Sequence, residues 1–117
     1  MPYNAPVKEI SFILRHIVPF DEVAATETFQ DATPDVVGSI LEAAGRLSSD
    51  VIAPLNRGSD LHPAVLENGV VRTSPGFAEA YQAVAEGGWV GLTADPEFGG
   101  MGLPSTLGCA LNDMMSG

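Results

Sequence analysis

Few side chains in this 117-residue chain have the types and spacing that bond-making or metal chemistry requires. Histidine occurs only at His16 and His62, and cysteine only at Cys109. A metal site gathers three or four ligands, and no Cys, His, Asp or Glu pair here is backed by a second pair at ligand spacing. His16 reads as a helix-surface or interhelical residue and His62 as a loop residue. Cys109 falls on the apolar side of the last helix the pattern predicts, where a thiol behaves as a small hydrophobe, and no base stands in register to activate it. No Gly-x-Ser-x-Gly elbow is present. The acid pairs Asp21-Glu22 and Asp95 with Glu97 read as solvated charges, because a general acid with a raised pKa needs burial that such positions seldom provide. No catalytic, cofactor-binding or metal-ligating residue is assigned.

One stretch is more distinctive. Gly99-Gly100-Met101-Gly102 lies between Pro96 and Pro104 and runs into a predicted helix, whose partly positive N-terminus could attract an anion. It lacks the spacing of a dinucleotide fingerprint, follows no predicted strand and has no lysine nearby, so neither a Rossmann turn nor a P-loop is supported. The expectation is a tight helix-to-helix turn in which Gly99 and Gly100 supply positive φ.

The elements that position this loop follow from hydrophobic spacing. From about Ala5 to Val18, the residues Val7, Ile10, Leu14, Ile17 and Val18 share one helical face, and Pro19 stops the run. Asp21 to Thr28 allows one or two helical turns. Thr33-Pro34-Asp35 combines an N-cap, a proline at the first helical position and a carboxylate near the positive helix end. Val37, Ile40, Leu41, Ala44, Leu47, Val51 and Ile52 extend that helix until Pro54 ends it. Leu55 to Asp60 reads as a turn-rich link, and Asn68-Gly69 predicts a small hairpin within Leu66 to Arg72. A third helix is expected from a cap at Ser74-Pro75 through Phe77, Ala80, Tyr81, Val84 and Ala85, closed by Gly87-Gly88. Trp89, Val90 and Leu92 form a short apolar knot, and a fourth helix starts near Pro104 or Ser105 with Leu107, Ala110, Leu111 and Met114. The expected fold class is all-α: a bundle of about four helices with a short hairpin, forming one domain over residues 1–117.

Composition narrows the partners. The chain is 45% hydrophobic and carries fifteen Asp and Glu against five Lys and Arg, a net charge of −10. The basic residues Lys8, Arg15, Arg46, Arg57 and Arg72 are scattered, so nucleic acid and anionic membrane surfaces are not expected partners. For the same reason the chain by itself is a poor holder of a polyphosphate cofactor. Charged residues interrupt the first apolar stretch, so no signal peptide is read, and no window has the length of a membrane span. A single cysteine fits a reducing, cytoplasmic compartment. A chain of this length should bury about 65% of the surface its unfolded form exposes.

Trp89-Val90-Gly91-Leu92 followed by Pro96-Glu97-Phe98-Gly99-Gly100-Met101-Gly102-Leu103-Pro104 resembles the hallmark turn in the N-terminal helical domain of acyl-CoA dehydrogenases. Ala53-Pro54-Leu55-Asn56-Arg57-Gly58 and Val70-Val71-Arg72-Thr73-Ser74-Pro75-Gly76-Phe77-Ala78-Glu79-Ala80-Tyr81 add to the likeness. With Tyr3-Asn4-Ala5-Pro6, they resemble the subgroup with an N-terminal extension that includes the 3-methylmercaptopropionyl-CoA dehydrogenases.

The resemblance implies an extension helix at about 5–18, a main helical region at about 33–117, and a domain continued by further chain. It implies that the full-length enzyme holds FAD and an acyl-CoA, with a glutamate abstracting the α-proton while the β-hydrogen leaves as hydride. That base and nearly all flavin contacts lie beyond the N-terminal domain in the family, so none is carried over to this sequence. Trp89, Pro96, Gly99, Gly100 and Gly102 are carried over only as a structural loop near the acyl pocket, and Asp113 only as a structural correspondence. The implied partners are the remaining domains of the enzyme or a partner subunit. A different reading makes the chain a stand-alone helical interaction module or non-catalytic subunit. It would then expose an apolar face of Leu103, Leu107, Leu111, Met114 and Met115, through which copies could also associate. A carrier of small apolar ligands ranks last, because no polar cluster is evident to orient one.

Overall fold

The structure is a computed structural model that describes residues 2–117. It is mostly helical with one small antiparallel hairpin. Helix α1 (Val7–His16) is shorter than the expected run: Ile10 and Leu14 point inward, whereas Ile17 lies past the helix end and is exposed. Two short turns follow, α2 (Phe20–Ala24), which buries Phe20, and a 3-10 turn at Glu27–Phe29.

Helix α3 (Pro34–Arg46) begins as its sequence requires. The Thr33 hydroxyl accepts from the Val36 N–H at 3.4 Å, and Pro34 occupies the first turn. Leu41 and Ala44 enter the core. Gly45 sits where α1 crosses, with no room for a Cβ beside the Val7 γ-methyl. The helix then loosens into a π segment, Leu47–Ile52. The long apolar stripe therefore continues at a different pitch, and Leu47 and Ser48 stay buried.

Pro54 does not lead into a turn-rich link. A seven-residue helix, α4 (Leu55–Leu61), follows it at once, with Pro54 at the N-cap in the helical region. A proline's fixed φ suits a helix start as well as a helix end, and Pro54 serves as a start. The hairpin is present, as β1 (Val65–Glu67) and β2 (Val70–Arg72) in the register Val65 to Arg72, Leu66 to Val71 and Glu67 to Val70. Asn68 at φ 51° and Gly69 at φ 76° are the two positive-φ residues that a two-residue turn of this hand requires.

Helix α5 (Phe77–Glu86) is not capped by the Ser74 hydroxyl. Gly76, at φ 85°, turns the chain into the helix, and the Ser74 carbonyl accepts from the Phe77 N–H. Helix α6 (Ser105–Ser116) packs on α3 and the π segment. Residues 107, 110, 111 and 114 make its inward face at helical spacing, and all four are buried with Leu103. This corrects two expectations. The α6 side chains proposed as an exposed docking face form the core instead, Met115 being partly buried against it. Cys109, opposite that inward face, is exposed rather than packed.

The molecule is a thin slab, 53 × 37 × 17 Å, with a radius of gyration of 16.4 Å. A compact domain of this length would have a radius near 13 Å. Its accessible surface is 8031 Å², against about 6,100 Å² for a folded monomer of its mass. Roughly 55% of the unfolded surface is buried rather than the 65% expected. The cause is the position of the apolar residues that stay outside: both hairpin strands, one side of α1 and the far tips of the loop before α6. No helix among the described residues is long and apolar enough to cross a membrane.

Candidate functional site

The loop between α5 and α6 starts where Gly88, at φ 75°, closes α5. A 3-10 turn at Trp89–Gly91 lays the half-buried indole beside Gly87, leaving that glycine no space for a side chain. Leu92 enters the core at 2% exposure, while Val90 points out, so the expected apolar knot is split between core and solvent. A second 3-10 turn, Pro96–Phe98, is capped by Asp95, whose carboxylate accepts from the Glu97 N–H at 2.8 Å. The Asp95 carboxylate is thus a structural acceptor, signalled in sequence by the proline that follows it.

Gly99 has the positive φ expected of it, whereas Gly100 does a different job and Gly102 shares the left-handed role. Gly99, at φ 86°, and Gly102, at φ 62°, take the left-handed conformation, whereas Gly100 does not. Gly100 is required for closeness: a Cβ there would collide with the Ala94 carbonyl. Gly102 also lies against the Pro96 ring, 2.9 Å from where its own Cβ would stand to the proline Cγ. The segment 100–103 folds back along 91–95. The Gly100 N–H donates to the Asp95 carbonyl at 3.1 Å, Met101 to Gly91 at 2.9 Å, Gly102 to Ala94 at 2.9 Å and Leu103 to Leu92 at 3.1 Å.

This arrangement decides what the loop can do chemically. The N–H groups of Phe98 and Gly99 donate to the carbonyls of Asp95 and Pro96, so every N–H from Glu97 to Leu103 already has a partner inside the loop. A phosphate cradle needs such groups free and convergent. The loop is instead a closed, self-bonded turn with apolar tips, Phe98 being 83% exposed and Met101 and Val90 also outward. Of Trp89, Pro96, Gly99, Gly100 and Gly102, the loop brings Pro96 against Gly102, while Gly100 packs on Ala94, Trp89 lies by Gly87 and Gly99 faces open space.

The other chemistry-bearing residues stay apart. His16 lies against Phe12 at the exposed side of α1, the ring centroids 4.7 Å apart and the planes tilted by 48°, and His62 ends α4. Among the described residues no group of three His, Cys, Asp or Glu could hold a metal ion. Between Glu97 and Leu103 the loop offers a pyrophosphate neither a cation nor an unpaired N–H.

A second feature was not legible in the sequence. An open groove of about 960 Å³ runs over the π segment, between α4 and α5 on one side and the end of α6 with residues 2 and 3 on the other. Its walls include Ile52, Leu55, Phe77, Tyr81 and Met115, with Arg57 as the cation at its edge. Ser48 belongs to its floor, and the Ser48 hydroxyl is buried without a partner.

Comparison with known proteins adds what geometry does not. The 3-methylmercaptopropionyl-CoA dehydrogenase of Ruegeria pomeroyi is 36% identical to this chain over 116 residues. The chain is related to an acyl-CoA dehydrogenase. The match takes in 99% of the chain but 20% of that relative, so the chain spans about a fifth of the relative's length, consistent with an N-terminal piece. No family model matches the chain.

Proposed function

We propose that this chain is the N-terminal helical part of a longer flavoprotein of acyl-CoA dehydrogenase type. The full-length protein would remove hydrogen from the α and β carbons of an acyl-CoA thioester, with FAD as the acceptor. The observation that carries this reading is the identity of 36% along 99% of the chain to a dehydrogenase five times its length. The slab shape and the uncovered apolar surface support it, since a portion of a larger fold leaves open the face that the remainder covers.

In this reading residues 1–117 belong to one helical domain that further chain completes, with the extension helix at its start. The catalytic base and the flavin contacts lie in that further chain, as does the binding of the FAD and CoA phosphates. The loop of Trp89, Pro96, Gly99, Gly100 and Gly102 acts as a rigid structural turn. Its outward apolar tips, Val90, Phe98 and Met101, suit a neighbour without charge, such as the wall of an acyl pocket. The compartment is the cytoplasm, to which a single exposed thiol is suited.

The test is activity of the longer gene product with a set of acyl-CoAs and an artificial electron acceptor, beside the 117-residue chain alone. Turnover by the longer product and none by the short chain is expected; turnover by the short chain would overturn the assignment of the chemistry elsewhere. A second reading, a stand-alone interaction module or non-catalytic subunit, is favoured by the exposed hairpin. It predicts a natural product no longer than this chain.

A further inference from the structure

The surface that this fold leaves uncovered is large and unevenly placed. The excess over a compact monomer is about 2,000 Å², the amount one partner contributes to an extensive obligate interface. The hairpin is one apolar part of it. Leu66 and Val71 are cross-strand neighbours on one face, 76% and 63% exposed, and Val65 and Val70 are half uncovered on the other. A two-stranded ribbon of three residues per strand is marginal in water unless a third strand or a helix lies against it. The hairpin springs from the point where α4 ends and α5 begins, and these two helices wall the groove described above.

We propose that the Leu66–Val71 face is a docking surface, and that its occupant is the further chain of the longer enzyme. This rests on the preceding functional reading. The relative has four-fifths of its length beyond the matched span, ample to supply a covering element. A second copy is a poorer occupant, because each copy carries a net charge of −10 and pairing two adds repulsion. The element that docks is apolar at its centre and neutral or basic at its rim.

Amide hydrogen exchange on the longer product and on its Leu66→Asp variant tests this. Residues 61–77 should exchange at least about tenfold more slowly in the parent. Equal rates in a longer product that holds flavin would overturn the docking surface and leave the functional reading intact. A longer product without flavin, or none at all, removes the reading and the docking proposal with it. A stable dimer of the short chain that protects the same residues assigns the surface to a second copy and also overturns the proposal. The same variant gives an independent readout: a fall of roughly 2 °C or more in the melting temperature of the longer product. An unchanged melting temperature contradicts it.

Discussion

The hydroxyl of Tyr3 donates to the carbonyl of Met114 at 2.9 Å, joining the start of the chain to the last turn of α6 across 111 residues of sequence. Nearby, the Ala5 N–H donates to the Ser49 hydroxyl at 3.0 Å, so the segment before α1 is tied to two elements. Tyr3→Phe removes one partly buried bond and keeps the ring. It should cost about 1 kcal/mol in a urea titration. A change within error would show that the tie contributes nothing.

Gly100→Ala and Gly99→Ala separate the two uses of glycine in the loop. The first drives a methyl into the Ala94 carbonyl, on backbone that cannot yield cheaply, and should cost about 3 kcal/mol. The second meets open space and incurs only the left-handed penalty, about 1 kcal/mol. Equal losses would mean that the fold-back of 100–103 against 91–95 is not held as described.

Core and surface residues on the two apolar faces should respond to very different extents. Leu107, at 1% exposure, lies between α6 and the rest of the core, and Leu107→Ala should cost 2–5 kcal/mol, roughly the range for buried leucine. Leu66→Ala in the short chain should stay within about 0.5 kcal/mol of the parent. Thermal melts of both variants check the reassignment of the apolar face from α6 to the hairpin.

Cys109 provides a rapid check on the orientation of α6. Its exposed thiol should react with an aromatic disulfide reagent in the native protein as fully as in urea. Native protection would return the side chain to the packed face.

How much of this was legible in the sequence depended on how local the cause was. Thr33-Pro34 and Asn68-Gly69 act through their own backbones, and the α3 start and the hairpin turn lie where those residues predict them. The helix at Leu55–Leu61 is not legible from Pro54, because a proline marks a helix start as well as a helix end. The roles of Gly100 and Gly102 were missed because closeness to Ala94 and to the Pro96 ring is a property of a folded loop. The side on which α6 faces solvent depends on α3, which contacts it from far away in sequence. The motif series that carried the family resemblance was local and ordered, and the related dehydrogenase bears it out.

The central claim is that these residues are one part of a longer flavoenzyme. Intact mass and visible absorbance of the natural gene product, purified under native conditions, test it most directly. The account predicts a protein about five times the length of this chain, by the proportion of its relative, with the absorbance of a bound flavin. A colourless product of 12.2 kDa, the mass of this chain alone, would contradict it.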